Sequence, residues 1–408
     1  MKRVLMVCYY FPPLGAVSSL RAVKLATLLP EFGWDVRVLA PRRGAYHHDA
    51  SLAFPEEKVA RTASLELSRM GKRAISAGAS DDRPAPVGPV SRRLRDVARR
   101  FLYRPDPQVG WYPFAVRAGR RVLRDERFDA LFSSSVPLTA HKIAQRLRRD
   151  FGLPWIAEFR DPWADGVDAG DPLRRRREAE EREILEAASA IVTVSPDWAR
   201  RFREKGARDV AVITNGFDPE DLPPPRPADG LVLTHVGNFY PDRQDLSTLW
   251  PALRKVGASG HAWRLRFVGG LHPLLAAELA EHGLADRLEV KGFLPHLEAV
   301  RELTSSSALL VAGSRDDRAR LRGMIPAKIF EYLASGLPVL YLGDPTTDAA
   351  RILAEQPGCH VVEPGDVQGA QQALLAAARG VRFERDLRRF THRALAGQLA
   401  GLLDRVVA

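Results

Sequence analysis

The sequence predicts an α/β protein built from two doubly wound parallel sheets. Apolar, strand-like segments alternate with helical segments along the chain, which is typical of βαβ units. The alternation stops at residues 219–230, PEDLPPPRPADG, and then starts again. Five prolines in twelve positions cannot continue a helix or a central strand, so we expect a linker there. A chain of 408 residues also exceeds the size at which a single hydrophobic core stops growing.

The first domain is expected to span residues 1–218. A strand at residues 3–8 is followed by a helix at residues 18–30, whose start two serines can cap. A long excursion is expected at about residues 45–110, because residues 71–91 are rich in Gly, Ala, Ser, Pro and charge. The other strands of this domain are expected at residues 35–40, 130–133, 155–159, 190–194 and 210–214.

The second domain is expected to span residues 231–385. Its strands are expected at residues 231–236, 264–268, 288–291, 308–311, 339–342 and 360–362, and helices at residues 368–378 and 383–407. The helix of residues 386–408 is expected to pack back toward the first domain. Ligands of open α/β sheets bind beyond the carboxyl ends of the strands, so we expect a ligand in a cleft between the domains.

The composition is that of a water-soluble globular protein, with 45% hydrophobic and 27% charged residues. No apolar run reaches the roughly 18 residues that span a bilayer, and the N-terminal segment predicts a strand rather than a secretory signal. The two cysteines, Cys8 and Cys359, fall in separate predicted strands. We therefore expect no zinc site and a location in the reducing cytoplasm.

The net charge of +11 is concentrated in one part of the first domain. Eleven arginines lie between residues 92 and 127: Arg92, Arg93, Arg95, Arg99, Arg100, Arg104, Arg117, Arg120, Arg121, Arg124 and Arg127. Such a concentration of positive charge favours binding to an anionic membrane surface. An arginine-rich composition inherited from a GC-biased genome is the alternative. No nucleic-acid-binding signature is present.

The segment IPAKIFEYLASGLPVL, residues 325–340, is the most informative candidate for a binding site. It predicts a short helix that Pro326 opens and Gly336 ends. Lys328 in the first turn opposes the helix dipole unless an anion binds there, so the segment indicates a phosphate site. Glu331, about one turn further on, can accept hydrogen bonds from sugar hydroxyls. The alternative is a solvated lysine on a surface helix.

Two further candidates follow strands of the first domain. Gly15, in YYFPPLG, allows the backbone to approach a ligand closely. Arg160 and Asp161 directly follow the strand of residues 155–159, where they either contact a polar substrate or form a salt bridge that braces the loop. Ser133 to Ser135 follow the neighbouring strand. His141 is expected on a helix surface rather than as a general base.

In the second domain, HVGNFYPDRQDL places a strand end at Gly237 and a turn at Arg243. A guanidinium there can bind a diphosphate through two hydrogen bonds, whereas the alternative is a solvated arginine. Arg243 and Lys328 together can neutralise a diphosphate as a metal ion would. Because the sequence contains no Asp-X-Asp pair, we expect no dependence on a metal.

These segments together resemble family 4 of the retaining glycosyltransferases, which have the GT-B fold of two Rossmann-like domains. The resemblance covers nearly the full length and rests on the order and spacing of YYFPPLG, PWIAEFRDPW, IVTVSPDWARRF, VITNGFD, HVGNFYPDRQDL and IPAKIFEYLASGLPVL. It implies transfer of a sugar from a nucleoside-diphosphate donor, with retention of the anomeric configuration and without a metal.

The resemblance also implies roles for individual residues. Glu331 matches the second carboxylate of the family's E-x7-E motif and is expected to hold the donor ribose. Arg243 is expected on the diphosphate, and Gly15 near the donor phosphates. Lys328 belongs to the P-[SA]-K-[LI]-[FY]-E-Y variant of the helix and is expected to contact phosphate or sugar. Gly237 belongs to the loop expected to bind the donor phosphates.

Three positions depart from the family pattern. Gly323 stands where the first carboxylate of E-x7-E is expected, and Asn238 stands where an arginine usually follows the glycine of the phosphate loop. Arg160, with Asp161 beside it, replaces the usual active-site histidine. A GT-B scaffold that binds nucleotide without catalysis, or a nucleotide-sugar epimerase, is therefore an alternative function.

The expected reaction places the nucleotide sugar on the second domain and a hydroxyl acceptor on the first. The arginine-rich segment favours a lipid-linked cell-surface glycan as acceptor, with docking on the inner face of the plasma membrane. A soluble natural-product acceptor is the alternative. No cofactor besides the donor substrate is expected.

Overall fold

The computed structural model describes residues 1–14, 17–42, 52–65, 105–166, 170–171, 173–224, 226, 230–241, 244–313 and 319–408. The chain divides into two compact units, Met1–Thr214 with His392–Ala408, and Asn215–Thr391. The division falls between Thr214 and Asn215, so the described part of the proline-rich segment lies within the second unit. The predicted excursion of residues 71–91 lies outside the described residues.

The first unit contains a seven-stranded parallel sheet in the order β3-β2-β1-β4-β5-β6-β7. Its strands are β1 (Lys2–Cys8), β2 (Trp34–Pro41), β3 (Val59–Thr62), β4 (Ala130–Ser135), β5 (Trp155–Phe159), β6 (Ala190–Thr193) and β7 (Val210–Val212). Its helices are α1 (Val17–Leu28), α2 (Tyr112–Asp125), α3 (Thr139–Phe151), α4 (Leu173–Ala187), α5 (Pro196–Glu204) and the C-terminal helix (His392–Val407). Strand order changes direction at β1 and β4, which is where a doubly wound sheet binds its ligands.

The core of the first unit forms because its central strands carry apolar side chains on both faces. Residues 4–7 of β1 are fully buried, as expected for a strand covered by helices on both sides. The C-terminal helix packs on this core through Leu395, Leu399 and Leu403. Asp404 of that helix accepts hydrogen bonds from Lys2 at 2.9 Å and from the indole of Trp34 at 3.1 Å.

The second unit contains a six-stranded parallel sheet in the order β10-β9-β8-β11-β12-β13. Its strands are β8 (Leu231–Val236), β9 (Trp263–Val268), β10 (Leu288–Gly292), β11 (Ala308–Ala312), β12 (Val339–Leu342) and β13 (Cys359–Val362). Its helices are α6 (Leu249–Ala258), α7 (Pro273–Glu281), α8 (His296–Thr304), α9 (Ala319–Arg322), α10 (Lys328–Ala334), α11 (Asp348–Ala354) and α12 (Val367–Ala377); helix α13 (His392–Val407) follows and belongs to the first unit. Both units therefore have the predicted Rossmann-like architecture.

Two predictions of secondary structure are wrong. Strand β3 lies within the predicted excursion, where it pairs with β2 from Val38↔Val59 to Pro41↔Thr62. The predicted helix of residues 383–407 begins only at His392. The preceding residues are held by contacts instead, since Phe383 N–H donates to Gly336 at 2.8 Å and the Arg385 guanidinium donates to three backbone carbonyls.

Within the described part of the chain, no helix is both long and apolar enough to cross a bilayer.

Candidate functional site

Glycines mark the carboxyl edge of the second sheet. Strands β8, β9, β11 and β12 are followed by Gly237, Gly269, Gly313 and Gly343, and β10 ends at Gly292. A Cβ on Gly269 would lie 2.8 Å from the Gly237 carbonyl oxygen, and one on Gly313 would lie 2.9 Å from the Gly343 Cα. Neighbouring strand ends thus approach each other too closely for side chains. The edge remains backbone-lined, which suits close approach of a ligand.

Lys328 reaches this edge from the first turn of α10. Its Nζ donates to the Val236 carbonyl at 2.6 Å and lies 3.1 Å from His235 Nε2. A Cβ on Gly237 would be 3.7 Å from the same Nζ. The structure therefore brings together two of the predicted site residues, Lys328 and Gly237, at the end of β8.

The charge of Lys328 has no counter-charge among the described residues, where no carboxylate lies within ion-pair distance of its Nζ. Burial lowers the pKa of the Lys328 ammonium to about 7. A desolvated cation without a counter-ion is energetically costly, and an anion bound beside it removes that cost. The ammonium is therefore arranged to bind an anion.

The predicted start of this helix needs a correction. Helix α10 begins at Lys328 rather than at Pro326, and it has only seven residues. Gly336 adopts a left-handed conformation with φ of 71° after its end, as predicted. The Tyr332 hydroxyl accepts from Val236 N–H at 2.8 Å and fixes the helix against β8. The candidate anion site therefore consists of the ammonium and the strand end rather than of the start of a helix.

Glu331 has different neighbours from Lys328. One carboxylate oxygen lies 3.5 Å from His296 Nε2, and Asp221 lies 3.9 Å from the same nitrogen. Burial raises the pKa of Glu331, His296 opposes that shift, and Asp221 and Asp218 add to it. The side chain remains 20% exposed, so this carboxylate can accept hydrogen bonds from a ligand hydroxyl.

The other predicted residues of the second unit make no described contact with Lys328. Asn238 is exposed, and its amide nitrogen is 3.4 Å from the Tyr240 hydroxyl. Gly323 is buried close to the start of α10. Arg243 lies outside the described residues, as does Gly15 of the first unit.

Arg160 and Asp161 belong to the first unit. Arg160 Nε donates to the Ser135 carbonyl at 2.9 Å, so this guanidinium bridges the ends of β4 and β5. Burial lowers the pKa of Arg160, while Glu158 and Asp161 oppose the shift. Asp161 is exposed. The guanidinium thus links the two strand ends through a backbone carbonyl rather than through the salt bridge expected as one alternative, and its contact with a substrate stays a prediction.

A buried ion pair involves Glu158 of β5, two residues before Arg160. Arg21 and Glu158 are 4% and 1% exposed, and Arg21 Nε donates to Glu158 Oε1 at 2.9 Å. Ser134 donates to the other carboxylate oxygen at 2.6 Å. Arg21 also donates to the carbonyls of Ile213 and Thr214. The pair connects α1, β5 and the end of the sheet.

The prediction that His141 lies on a helix surface is wrong. The residue is fully buried, and its Nδ1 lies 2.7 Å from the Ser133 hydroxyl, which also accepts from the Trp155 indole at 2.8 Å. The Phe159 ring packs 4.5 Å from the imidazole. Burial lowers the pKa of His141 to about 3. His141 is therefore a neutral core residue.

This shift predicts sensitivity to acid. Since the unfolded chain binds the proton near pH 6.5 and the folded chain only near pH 3, stability is complete above pH 6.5 and falls as the pH drops toward 3. One such proton corresponds to about 1.4 kcal/mol per pH unit. Urea unfolding at pH 7, 6 and 5 measures the free energy of unfolding. Between pH 7 and pH 5 it should fall less in His141→Gln than in the wild type, whereas the control His261→Gln, at an exposed site, should match the wild type. Equal slopes for all three proteins would contradict the prediction.

Sequence reasoning missed three residues near the second-unit site: His235, His296 and Asp221. A histidine directly before Val-Gly at the end of an apolar strand was the available signal for His235. His296 and Asp221 approach Glu331 only through tertiary structure. Within the described ranges, no group of three or more His, Cys, Asp or Glu side chains is arranged to hold a metal ion.

Comparisons with known proteins agree with this architecture. The sequence matches the Glycosyl transferase 4-like domain over residues 18–216 and Glycosyl transferases group 1 over residues 230–379. A search of curated proteins gave no match.

Three of the solved structures that match the chain illustrate the shared fold. Sucrose-phosphate synthase (tll1590) from Thermosynechococcus elongatus has 16% identity and a TM-score of 0.65, with coverage of 100% of this chain and 99% of that chain. The apo lipopolysaccharide outer core galactosyltransferase WaaB has 13% identity, a TM-score of 0.58 and coverage of 99% of both chains. Anabaena Alr3699/HepE in complex with UDP and glucose has 14% identity and a TM-score of 0.58, with coverage of 100% and 97%.

The two family matches follow each other along the chain and coincide with the two Rossmann-like units, and the similar structures have the GT-B fold. The chain therefore belongs to the GT-B glycosyltransferases, with a glycosyl transferase 4-like domain followed by a group 1 domain.

Proposed function

We propose that the chain is a retaining glycosyltransferase of family 4 that uses a nucleoside-diphosphate sugar as donor. The second unit binds the donor and the first unit binds a hydroxyl acceptor. The observation that supports this most strongly is the Lys328 ammonium, which lies beside Gly237 and has no carboxylate partner in the described residues. A diphosphate supplies the missing negative charge.

Two further observations support a nucleotide sugar as the donor. Glu331 lies one turn beyond Lys328 and presents a partly exposed carboxylate to hydroxyls of the donor. The similar Anabaena protein was crystallised with UDP and glucose and also with UDP-glucose. The donor expected from these observations carries both a diphosphate and a sugar.

The proposed reaction exchanges one glycosidic bond for another. The bond between the anomeric carbon and the diphosphate oxygen breaks, and a bond from that carbon to the acceptor oxygen forms on the same face. The leaving diphosphate takes the acceptor proton. Lys328, with Arg243, stabilises the charge that develops on the diphosphate, in the way that fixed donors stabilise a transition state. Arg160 and Asp161 are proposed to orient the acceptor or the donor sugar.

A screen and a product analysis test this function. Nucleotide sugars of UDP, GDP, ADP and dTDP are first ranked by the rise they cause in the melting temperature. The best donor is then incubated with lipid-linked or soluble hydroxyl acceptors, with and without EDTA, and NMR defines the anomeric configuration. Transfer with retention in EDTA is the expected result. Binding without transfer would favour a non-catalytic protein, which Gly323 in place of a carboxylate would explain, and conversion without acceptor would favour an epimerase.

An anionic membrane is the proposed location of the acceptor, on the cytoplasmic side. Arg117, Arg121 and Arg124 are exposed along one face of α2, and none has an ion pair within the described residues. Several arginines of α3, α4 and α5 form ion pairs instead, for example Arg146–Asp150, Arg174–Glu178, Arg176–Glu180 and Arg200–Asp197. The unpaired charges of α2 complement a surface of anionic lipids.

Co-sedimentation with phosphatidylglycerol-containing vesicles tests this location. The double variant Arg117→Gln/Arg121→Gln should bind about thirtyfold more weakly at low salt, since each arginine near the surface contributes about 1 kcal/mol. High salt should weaken binding of the wild type as well. The matched control, Arg174→Gln/Arg176→Gln, removes two paired arginines and should bind as the wild type does. A wild-type protein that stays in solution at low salt would exclude the membrane proposal and favour a soluble acceptor.

A further inference from the structure

His235 is a fully buried histidine at the end of β8, directly before the strand end that Lys328 contacts. Its ring packs 5.4 Å from Phe267 and 6.4 Å from Phe239. A polar ring in such surroundings is costly unless both nitrogens have partners. Both do, and the two partners are of different chemical kinds.

The partners define the tautomer of His235. Nδ1 lies 3.1 Å from the Leu310 carbonyl, which can only accept, so Nδ1 carries the proton. Nε2 is then the acceptor of the neutral ring, and the Lys328 ammonium at 3.1 Å is its donor. Burial and the adjacent ammonium both lower the pKa of His235, while the backbones of Leu310 and Asn238 oppose the shift. The imidazole therefore stays neutral and keeps its acceptor on Lys328.

The hydrogen bonds of the ammonium leave one N–H group for a ligand. An ammonium has three N–H donors, of which one binds the Val236 carbonyl and one binds His235. The space next to it is left open by Gly237, which has no side chain. Among the described residues, the titratable side chains that form hydrogen bonds with Lys328 or with Val236 are His235 on β8 and Tyr332 on α10, whose hydroxyl accepts from the Val236 N–H. Glu331 on α10 lies within electrostatic range of Tyr332.

We propose that His235 is a positioning residue, whose neutral imidazole holds the Lys328 ammonium at the end of β8 with one N–H aimed at a donor phosphate. The proposal deepens the proposed function, on which it rests for the identity of the ligand. The contact between His235 and Lys328 can be tested separately from that ligand.

The first experiment measures the contact without nucleotide. Amine-selective labelling across pH, followed by peptide mass spectrometry, gives the pH midpoint at which Lys328 becomes reactive, with exposed Lys255 as internal reference. The wild type should show a midpoint near 7, and His235→Leu should lower it by about one pH unit because the charged form loses an acceptor. His235→Gln supplies an acceptor oxygen, so its Lys328 midpoint should lie closer to the wild-type value than that of His235→Leu. Phe267→Leu, which loosens the packing but keeps the acceptor, should leave it unchanged.

The second experiment measures UDP-glucose affinity by calorimetry at pH 7. His235→Leu should bind about tenfold more weakly, and His235→Gln and Phe267→Leu within about threefold of the wild type. A wild-type Lys328 that labels with the midpoint of Lys255 would overturn the proposal, and this result does not depend on a variant that folds. Unchanged midpoint and affinity in His235→Leu would overturn it as well. A wild type that binds no nucleotide sugar would instead refute the proposed function. The labelling experiment would still show whether His235 holds Lys328.

Discussion

Replacing Lys328 by methionine is expected to weaken UDP-glucose binding roughly a hundredfold, because truncating one partner of a desolvated, hydrogen-bonded charge pair costs about 2–5 kcal/mol. Methionine fills a similar volume but cannot donate. The side chain contacts Val236 and His235 at the glycine-lined edge, so its loss removes charge where the diphosphate is proposed to bind. Calorimetric titration of the purified variant measures the loss directly.

The pH dependence of binding gives the same prediction a second readout. The Lys328 ammonium has a pKa of about 7 in the ligand-free protein, and a bound diphosphate favours its charged form. Affinity should therefore be highest below pH 7 and fall above it, by up to about tenfold per pH unit, until the pKa of the complex is reached. UDP-glucose is a suitable probe because the charge of its diphosphate is constant over this range.

Lys255→Met is the matched control, since Lys255 is an exposed lysine of the same unit. It should retain the wild-type affinity and its pH dependence, whereas Lys328→Met should show a weak and flat profile. Wild-type binding by Lys328→Met would remove Lys328 from the donor site. If the affinity of the wild type does not change with pH, the titration of Lys328 does not control binding.

Most of the sheet could be predicted because each central strand is a short apolar run between residues that break regular structure. The strands at residues 155–159, 231–236 and 339–342 have the predicted bounds. Strand β3 was missed because its four residues, VART, have no such run and depend on pairing with β2. Residues 383–391 were wrongly predicted as helix because contacts with distant backbone, rather than local pattern, determine their conformation.

Residues of the candidate site can be predicted only where the local sequence by itself indicates a ligand. Lys328 was found because a lysine in a first helical turn is unfavourable without an anion. His235 was missed because its importance lies in two partners that are 75 and 93 residues away in sequence. Likewise, His141 was assigned to a surface, although the helix packs it against Ser133 and Phe159. Long-range partners of buried polar groups cannot be derived from spacing alone.

The buried pair of Arg21 and Glu158 supports the largest expected effect on stability. Arg21→Met leaves the Glu158 carboxylate with only part of its hydrogen bonding and removes the donors to Ile213 and Thr214. Removing one partner of a buried ion pair costs about 3–5 kcal/mol. For a unit of this size, the melting temperature should fall by on the order of 10 °C. Differential scanning calorimetry measures this shift.

The double variant Arg21→Met/Glu158→Gln separates the charge from the packing. If the cost arises from an uncompensated carboxylate, neutralising Glu158 should recover much of the stability that Arg21→Met loses, because replacing both partners of such a pair is far less costly than removing one. Glu158→Gln alone leaves the guanidinium buried and should also destabilise the protein. Additive losses in the double variant would show that the two residues act independently, and the pair would then owe its position to packing rather than to charge.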